Sequence, residues 1–370
     1  MTESGCYIGL MSGTSLDGVD GVLVQCDTHF HVLAHASAPF DSILRAELQA
    51  LNSPGANELH RAALAANALV EVYASVVESL LQTVQLPRQA VRAIGAHGQT
   101  VRHQPGRHDG IGYTVQLNQP ALLAERCGID VVADFRSRDI AAGGQGAPLV
   151  PAFHQRVFGR SGQRVAVLNI GGIANLSLLG PAEQVFGFDS GPGNLLMDHW
   201  CQQHTGHAYD HDGQWAASGS SIPELLERLM QEPFLRLPPP KSTGRDLFNP
   251  GWLMNQLNGF ETRSPQDVQA TLTALTAQAS LQALQRHGSG CQRLIVCGGG
   301  ALNGHLMHLI RAGLPGVDVV DSGEEGLPPL QVEAAAFAWL ARQTLHRESG
   351  NWPAVTGARG PRILGAIYPA

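Results

Sequence analysis

The chain is poor in charge: among 370 residues there are 24 Lys or Arg and 31 Asp or Glu, a net charge of −7. The cations are scattered, with no basic stripe of the kind that tracks a phosphate backbone, so nucleic acid is not an expected partner. No uninterrupted apolar run approaches the ~20 residues that span a bilayer, and no cationic segment followed by a long apolar one opens the chain. A cytoplasmic protein without membrane attachment is expected. Cysteine pairing is missing too: Cys6, Cys26, Cys127, Cys201, Cys291 and Cys297 form no CxxC, which argues against a disulfide framework and a cysteine zinc site. Apolar residues, by contrast, make up 44% of the chain, enough for ample core and two domains.

The most informative stretch runs from Tyr7 to Val24. An apolar strand opens into Ser12-Gly13-Thr14-Ser15-Leu16 and returns through Asp17-Gly18-Val19-Asp20. Glycine lets backbone N–H groups approach phosphate oxygens, Thr14 and Ser15 add hydroxyl donors, and Asp17 and Asp20 suit a hydrated divalent cation. An ordinary hairpin with a polar turn has the same composition, so both readings stand at this point. The device recurs at residues 165–178, where Gly171-Gly172 forms the tip. Each hairpin is followed, after helical segments, by a strand that ends in a glycine turn: Ala93 to Thr100 in the first half, and Leu294 to Gly298-Gly299-Gly300 in the second. Two similar α/β halves are expected.

Helical spacing marks Leu69, Val72, Val76 and Leu80, and Ser264-Pro265 with Asp267 reads as a capped helix start. A helix with Val332, Ala335, Ala336 and Trp339 on one side carries Glu333, which is expected to be partly buried. Residues 237–246 have turn composition and read as a surface loop.

For chemistry, Asp189 in Phe188-Asp189-Ser190-Gly191-Pro192-Gly193-Asn194 is the first candidate general base, at a strand end feeding a helix; capping the turn is the plainer role. The Gly298 to Gly300 backbone suits a flat approach to a nucleoside, or simply a tight turn. His97 and Gln99 suit a sugar, although a structural histidine fits as well. The segments 133–151 and 242–246 hold arginines that match a substrate carboxylate or a surface ion pair. The histidine-rich run from His199 to His211 matches no HExxH spacing and reads as solvated loop rather than metal site.

Taken together, these motifs resemble the anhydro-N-acetylmuramic acid kinases, a branch of the acetate and sugar kinase, heat-shock chaperone and actin superfamily. The resemblance rests on Ile8 to Asp20, Gly95 to Thr100, Asn169 to Asn175, Phe188 to Asn194, Ser242 to Arg245 and Glu333 to Leu340. Ser190 and Asp246 depart from the threonine and glutamate usual there, keeping the chemical type. The resemblance implies two actin-like (ribonuclease H-like) domains facing across a nucleotide and sugar cleft, 1–135 with the tail 347–370, and 136–346. It implies ATP- and Mg2+-dependent conversion of 1,6-anhydro-N-acetylmuramic acid, with water opening the anhydro ring, to N-acetylmuramic acid 6-phosphate in peptidoglycan recycling, by a homodimer. Asp189 would be the base and Glu333 its helper at the sugar, with His97, Gln99 and Asn175 as further sugar contacts. Residues Gly13 to Asp20, with Gly171, Gly172 and Gly298 to Gly300, would bind ATP, and Asp17 and Asp20 the metal. An ordinary hexose or amino-sugar kinase, and a nucleotide-driven binding protein, are the competing readings.

Overall fold

A computed structural model describes residues 5–27, 30–181 and 184–370. The strands in chain order are β1 (Gly5–Ser12), β2 (Gly18–Cys26), β3 (Phe30–Pro39), β4 (Val91–Pro105), β5 (Gly112–Leu117), β6 (Val131–Ala133), β7 (Val165–Ile170), β8 (Ile173–Leu179), β9 (Val185–Pro192), β10 (Arg293–Cys297), β11 (Asp318–Asp321) and β12 (Ala366–Tyr368). They form two sheets, ordered β12-β6-β4-β1-β2-β3, with β5 on β4, and β11-β10-β7-β8-β9. In the first, β1, β2 and β3 run antiparallel in turn while β4 and β6 lie parallel to β1. In the second, β7, β8 and β9 repeat the antiparallel part, and β10 and β11 repeat the parallel part. One five-strand pattern thus occurs twice, as the paired hairpins lead one to expect, and it is the actin-like, ribonuclease H-like order that the resemblance implies.

Each sheet belongs to its own compact unit: Met1–Phe153 with Leu330–Ala370, and His154–Pro329. The helix Val332–Leu345, placed by the sequence reading in the second half, packs on β1, β2 and β4 of the first.

The first unit is built by alternation along β1. Ile8 and Leu10 point to one face, into a core with Leu69, Tyr73, Val76 and Leu80 of the helix Glu58–Val84. That helix is, by length and composition, apolar enough to cross a membrane. Its nine buried residues, from Ala65 to Leu81, nevertheless recur at helical spacing as one core-facing stripe. The other face of β1 presents Gly9, whose register partner on β4 is Gly95. A Cβ at Gly9 would fall on the carbonyl oxygen of Ala334, and one at Gly95 on that of Phe337. The alanines at 334, 335, 336, 338 and 341, all fully buried, complete this close approach of helix to sheet.

Strand β4 does not end at a turn, as the sequence suggested. It runs on through Gly98, whose φ of +79° absorbs the irregularity as β4 leaves β1, and continues in pairing with β5. In the second unit the helix Pro265–His287 starts as expected, with Ser264 Oγ accepting from the amide of Asp267 at 3.2 Å. It packs Val268, Leu272 and Leu275 into a core with Leu168, Leu176 and Phe188.

Adding one methyl at the helix–sheet contact forces backbone to move. Gly9→Ala is therefore expected to cost about 3 kcal/mol, the upper end of the usual overpacking penalty, in urea unfolding. A loss under about 0.5 kcal/mol would show that the helix Val332–Leu345 can ride away from the sheet freely.

Candidate active site

In the first unit the β1–β2 turn lies beside β4. Gln99 Nε2 donates to the Gly13 carbonyl at 3.0 Å, and Ser12 Oγ donates to the Gly98 carbonyl at 3.1 Å. Tyr73, from the helix beneath, joins the two: its hydroxyl lies 3.0 Å from Ser12 Oγ and accepts from the Gly98 amide at 3.0 Å. Complete burial pushes the Tyr73 phenol up to about 12, so it stays protonated. Tyr73 has no turn or glycine motif around it; the only signal in the sequence is a hydroxyl set in an apolar helical stripe.

Within the turn, Leu16 and Val19 send their side chains into the core and offer only backbone to a ligand. Gly18 is explained by packing, since a Cβ there would meet the carbonyl of Ala38 on β3. Gly13 is different: a Cβ would find nothing nearer than 3.6 Å, so folding alone gives no reason for glycine. Asp17 accepts from Ser15 Oγ at 2.7 Å, and Asp20 lies 3.3 Å from His35 Nε2. Thr14 is half-buried in the same turn.

Beside this turn, Arg136 donates to His97 Nε2 through Nε at 3.2 Å, with Nη2 2.9 Å from the same nitrogen, and through Nη1 to the Gly146 carbonyl at 2.8 Å. A guanidinium can only donate, so Nε2 carries the lone pair and Nδ1 the proton. Burial, and secondarily the Arg136 charge, hold His97 well below its usual range. His97 is thus a neutral acceptor that orients Arg136, with its ring against Phe337 at 4.7 Å. Gly146 is held in turn by Asp139, fully buried, whose Oδ2 accepts from the Gly146 amide at 2.8 Å and whose Oδ1 takes Thr356 Oγ1 and Asn351 Nδ2. Glu333, half-buried, begins the helix Val332–Leu345.

In the second unit Asp189 lies within β9 rather than at its end. Asp189 faces Asn175 across the ladder and Gly191 faces Ala174, so Ser190 is the extra residue of a bulge. Asp189 is only 6% exposed; its Oδ2 accepts from the Thr243 amide at 2.9 Å, and its own amide donates to the Lys241 carbonyl at 3.2 Å. Asn175 Oδ1 is buried without a hydrogen-bond partner, an acceptor next to the carboxylate that a ligand donor would satisfy. The turn of Gly171 and Gly172 accepts the amides of Asn194 at 2.8 Å and Gly193 at 2.9 Å, while Asn194 Nδ2 donates to the Ile170 carbonyl at 3.1 Å. Gly298, at φ +77°, packs against Ile170 and Asn169, and Gly300 against Ile170, whereas Gly299 meets only Asn194 Nδ2, at 3.3 Å. The glycine tips of β7–β8 and β10 are therefore adjacent, and in the first unit the β1–β2 tip lies beside Gly98 within β4. Loop 237–246 is not wholly surface: Lys241 within it is buried.

A model of the family described as anhydro-N-acetylmuramic acid kinase matches residues 5–370. The chain is 63% identical over 370 residues to the anhydro-N-acetylmuramic acid kinase of Variovorax paradoxus (strain S110), covering 98% of this chain and 99% of the relative. It is 60% identical over 388 residues to that of Albidiferax ferrireducens (strain ATCC BAA-621 / DSM 15236 / T118), covering 99% and 100%. The chain belongs to the anhydro-N-acetylmuramic acid kinase family. Like that family it is a phosphotransferase. Among solved structures it is similar to the activator of the 2-hydroxyisocaproyl-CoA dehydratase from Clostridium difficile, 12% identical with a TM-score of 0.49, over 92% of this chain and 96% of that one.

Of the residues expected to serve an anhydro-N-acetylmuramic acid kinase, the structure brings Gly13, Gln99 and His97 together in the first unit, and Asp189 with Asn175 in the second. Asp189 and Glu333 belong to different units. The neutral histidines also set the acid stability of this family member. Burial pushes His154, hydrogen-bonded to Ser177 Oγ at 2.8 Å, down to about 3, and His97 shifts the same way. A folded pKa below the unfolded one means that the unfolded chain holds more protons below about pH 6.5, so stability falls as pH drops through that value toward 3. Near pH 5 unfolding should take up about one proton at His154, a slope of about 1.4 kcal/mol per pH unit, with His97 adding in the same direction. Denaturation measured against pH should show it, and His154→Gln should remove about one proton; an unchanged slope would mean that His154 is charged in the folded chain.

Proposed function

We propose that this phosphotransferase converts 1,6-anhydro-N-acetylmuramic acid, ATP and water to N-acetylmuramic acid 6-phosphate and ADP, in the recycling of cell-wall peptidoglycan. Asp189 takes a proton from a water whose oxygen bonds to the anomeric carbon as the C1–O6 bond breaks. The freed O6 bonds to the γ-phosphorus, the bond from that phosphorus to the β–γ bridging oxygen breaks, and ADP leaves. The observation that carries this reading is the held carboxylate: Asp189, 6% exposed, is fixed through Oδ2 by the Thr243 amide beside the unsatisfied Asn175 Oδ1. A positioned carboxylate supplies proton transfer, whereas phosphoryl transfer needs mainly alignment and charge neutralisation.

Alignment falls to the glycine tips. Gly13 to Asp20 receives phosphates, and the spare room at Gly13 supports a phosphate lying against its backbone. Gly171, Gly172 and Gly298 to Gly300 take the rest of the nucleotide. Magnesium, when bound, neutralises charge on the phosphates. Asp17 and Asp20 fit it, since magnesium takes one or two carboxylates and fills its other positions with water and phosphate oxygens. Gln99, Asn175 and Glu333 bind the sugar, and His97 serves it through Arg136. The enzyme works in the cytoplasm as a homodimer.

Two substitutions separate these roles in steady-state kinetics. Asp189→Asn keeps an acceptor for Thr243 but removes the basic oxygen, so kcat should drop roughly 10²-fold or more with ATP and sugar still bound in calorimetry. Gly13→Ala should leave the melting temperature in place yet raise KM for ATP about tenfold, ~1.4 kcal/mol. An Asp189→Asn enzyme within threefold of wild type would remove the base from this account.

A further inference from the structure

Lys241 is absent from every role described so far, yet its surroundings are specific. It is 6% exposed, the one buried residue of a loop (237–246) whose other members are half-buried or exposed, and its ammonium donates to the carbonyls of Phe234 at 2.9 Å and Leu235 at 3.3 Å. Two rings flank the charge, Phe234 with its centroid at 4.6 Å and Phe188 at 5.7 Å. Phe188 immediately precedes Asp189 on β9. The backbone of Lys241 accepts from the Asp189 amide, and two residues later Thr243 donates to Asp189 Oδ2. Anchoring this one side chain therefore fixes both backbone contacts to the carboxylate.

We propose that Lys241 is the positioning residue for Asp189: its ammonium pins the 241–243 loop onto the carboxylate and supplies the opposing positive charge in that buried setting. The inference rests on the reading of Asp189 as the base. A buried cation with two carbonyls and two ring faces is held by charge, so the anchor is only as durable as its proton. Three charged or titratable groups face it: Asp189 on β9, and Arg286 and His287 at the end of the helix Pro265–His287. Burial, and after it Arg286, weaken the hold on the proton while Asp189 strengthens it, and the balance brings Lys241 down to about 8. Above that pH the ammonium becomes an amine, both the ring contacts and the attraction to Asp189 are lost, and turnover should fall.

The test is the pH profile of kcat/KM, with kcat and KM resolved, for wild type, Lys241→Arg and Lys241→Met, with Asp189→Asn assayed alongside. Wild type should decline above about pH 8. Lys241→Arg keeps its charge and should carry the decline upward by about one pH unit or more. Lys241→Met keeps the apolar stem without the charge; it should lose about tenfold in kcat at pH 7, show no step near pH 8, and leave KM for ATP unchanged. If the box does not accept the guanidinium and Lys241→Arg fails to fold, Lys241→Met decides alone. A Lys241→Met enzyme with kcat within twofold of wild type, or with the step near pH 8 intact, overturns the role of Lys241 while an inactive Asp189→Asn preserves the base. An active Asp189→Asn overturns both.

Discussion

The carbonyl of Ala334 occupies the place where a side chain at residue 9 would begin, and that of Phe337 does the same at residue 95. This backbone-to-backbone approach governs the first unit. It brings the helix Val332–Leu345 onto β1 and β4 just before β1 reaches its polar turn and β4 reaches Gly98, so the position of the helix and the position of that turn cannot vary independently. Phe337 then packs its ring at a tilt against His97, His97 accepts from Arg136, and Arg136 reaches the loop that Asp139 holds. A chain of contacts runs from a glycine pair in the sheet to a guanidinium without passing through solvent. Interiors are packed closely enough that shifts of this kind propagate rather than dissipate.

The second unit repeats the strand order and solves a different problem. A carboxylate withdrawn from water must be held by donors and opposed by charge, or its burial is strongly unfavourable. The bulge at Ser190, the amide of Thr243 and the boxed ammonium of Lys241 answer that requirement within a few residues of one another in space. The two hairpins share a backbone plan, but the first spends its polar groups on bonds between strand tips, and the second concentrates charge.

Backbone features were legible from residue types. The apolar approach, glycine tip and apolar return of each hairpin announce the paired architecture, because glycine and alternation are local signals, and Ser264 marks its helix start for the same reason. Side-chain partnerships were not legible. Tyr73 meets Ser12 across 61 positions of sequence, and Lys241 looks like one more turn residue after a run of prolines until the structure shows it turned inward. Gly98 reads as a stop in the sequence because glycine usually punctuates; here β5 gives β4 a new partner and the strand continues. The helix Val332–Leu345 packs on the first sheet although it follows the second-half strands in sequence, and the reason it is not legible is related. Its alanines say that something comes close, not which sheet does so.

The central claim is that water attacks carbon while phosphorus is attacked by the sugar's own O6. Turnover in oxygen-18 water, with the product analysed by mass spectrometry before its anomers exchange with solvent, tests it directly. The account predicts one labelled oxygen at C1 of N-acetylmuramic acid 6-phosphate and none in its phosphate. Label in the phosphate, or none at C1, would contradict it, since another nucleophile would then open the ring or water would be taking the phosphoryl group.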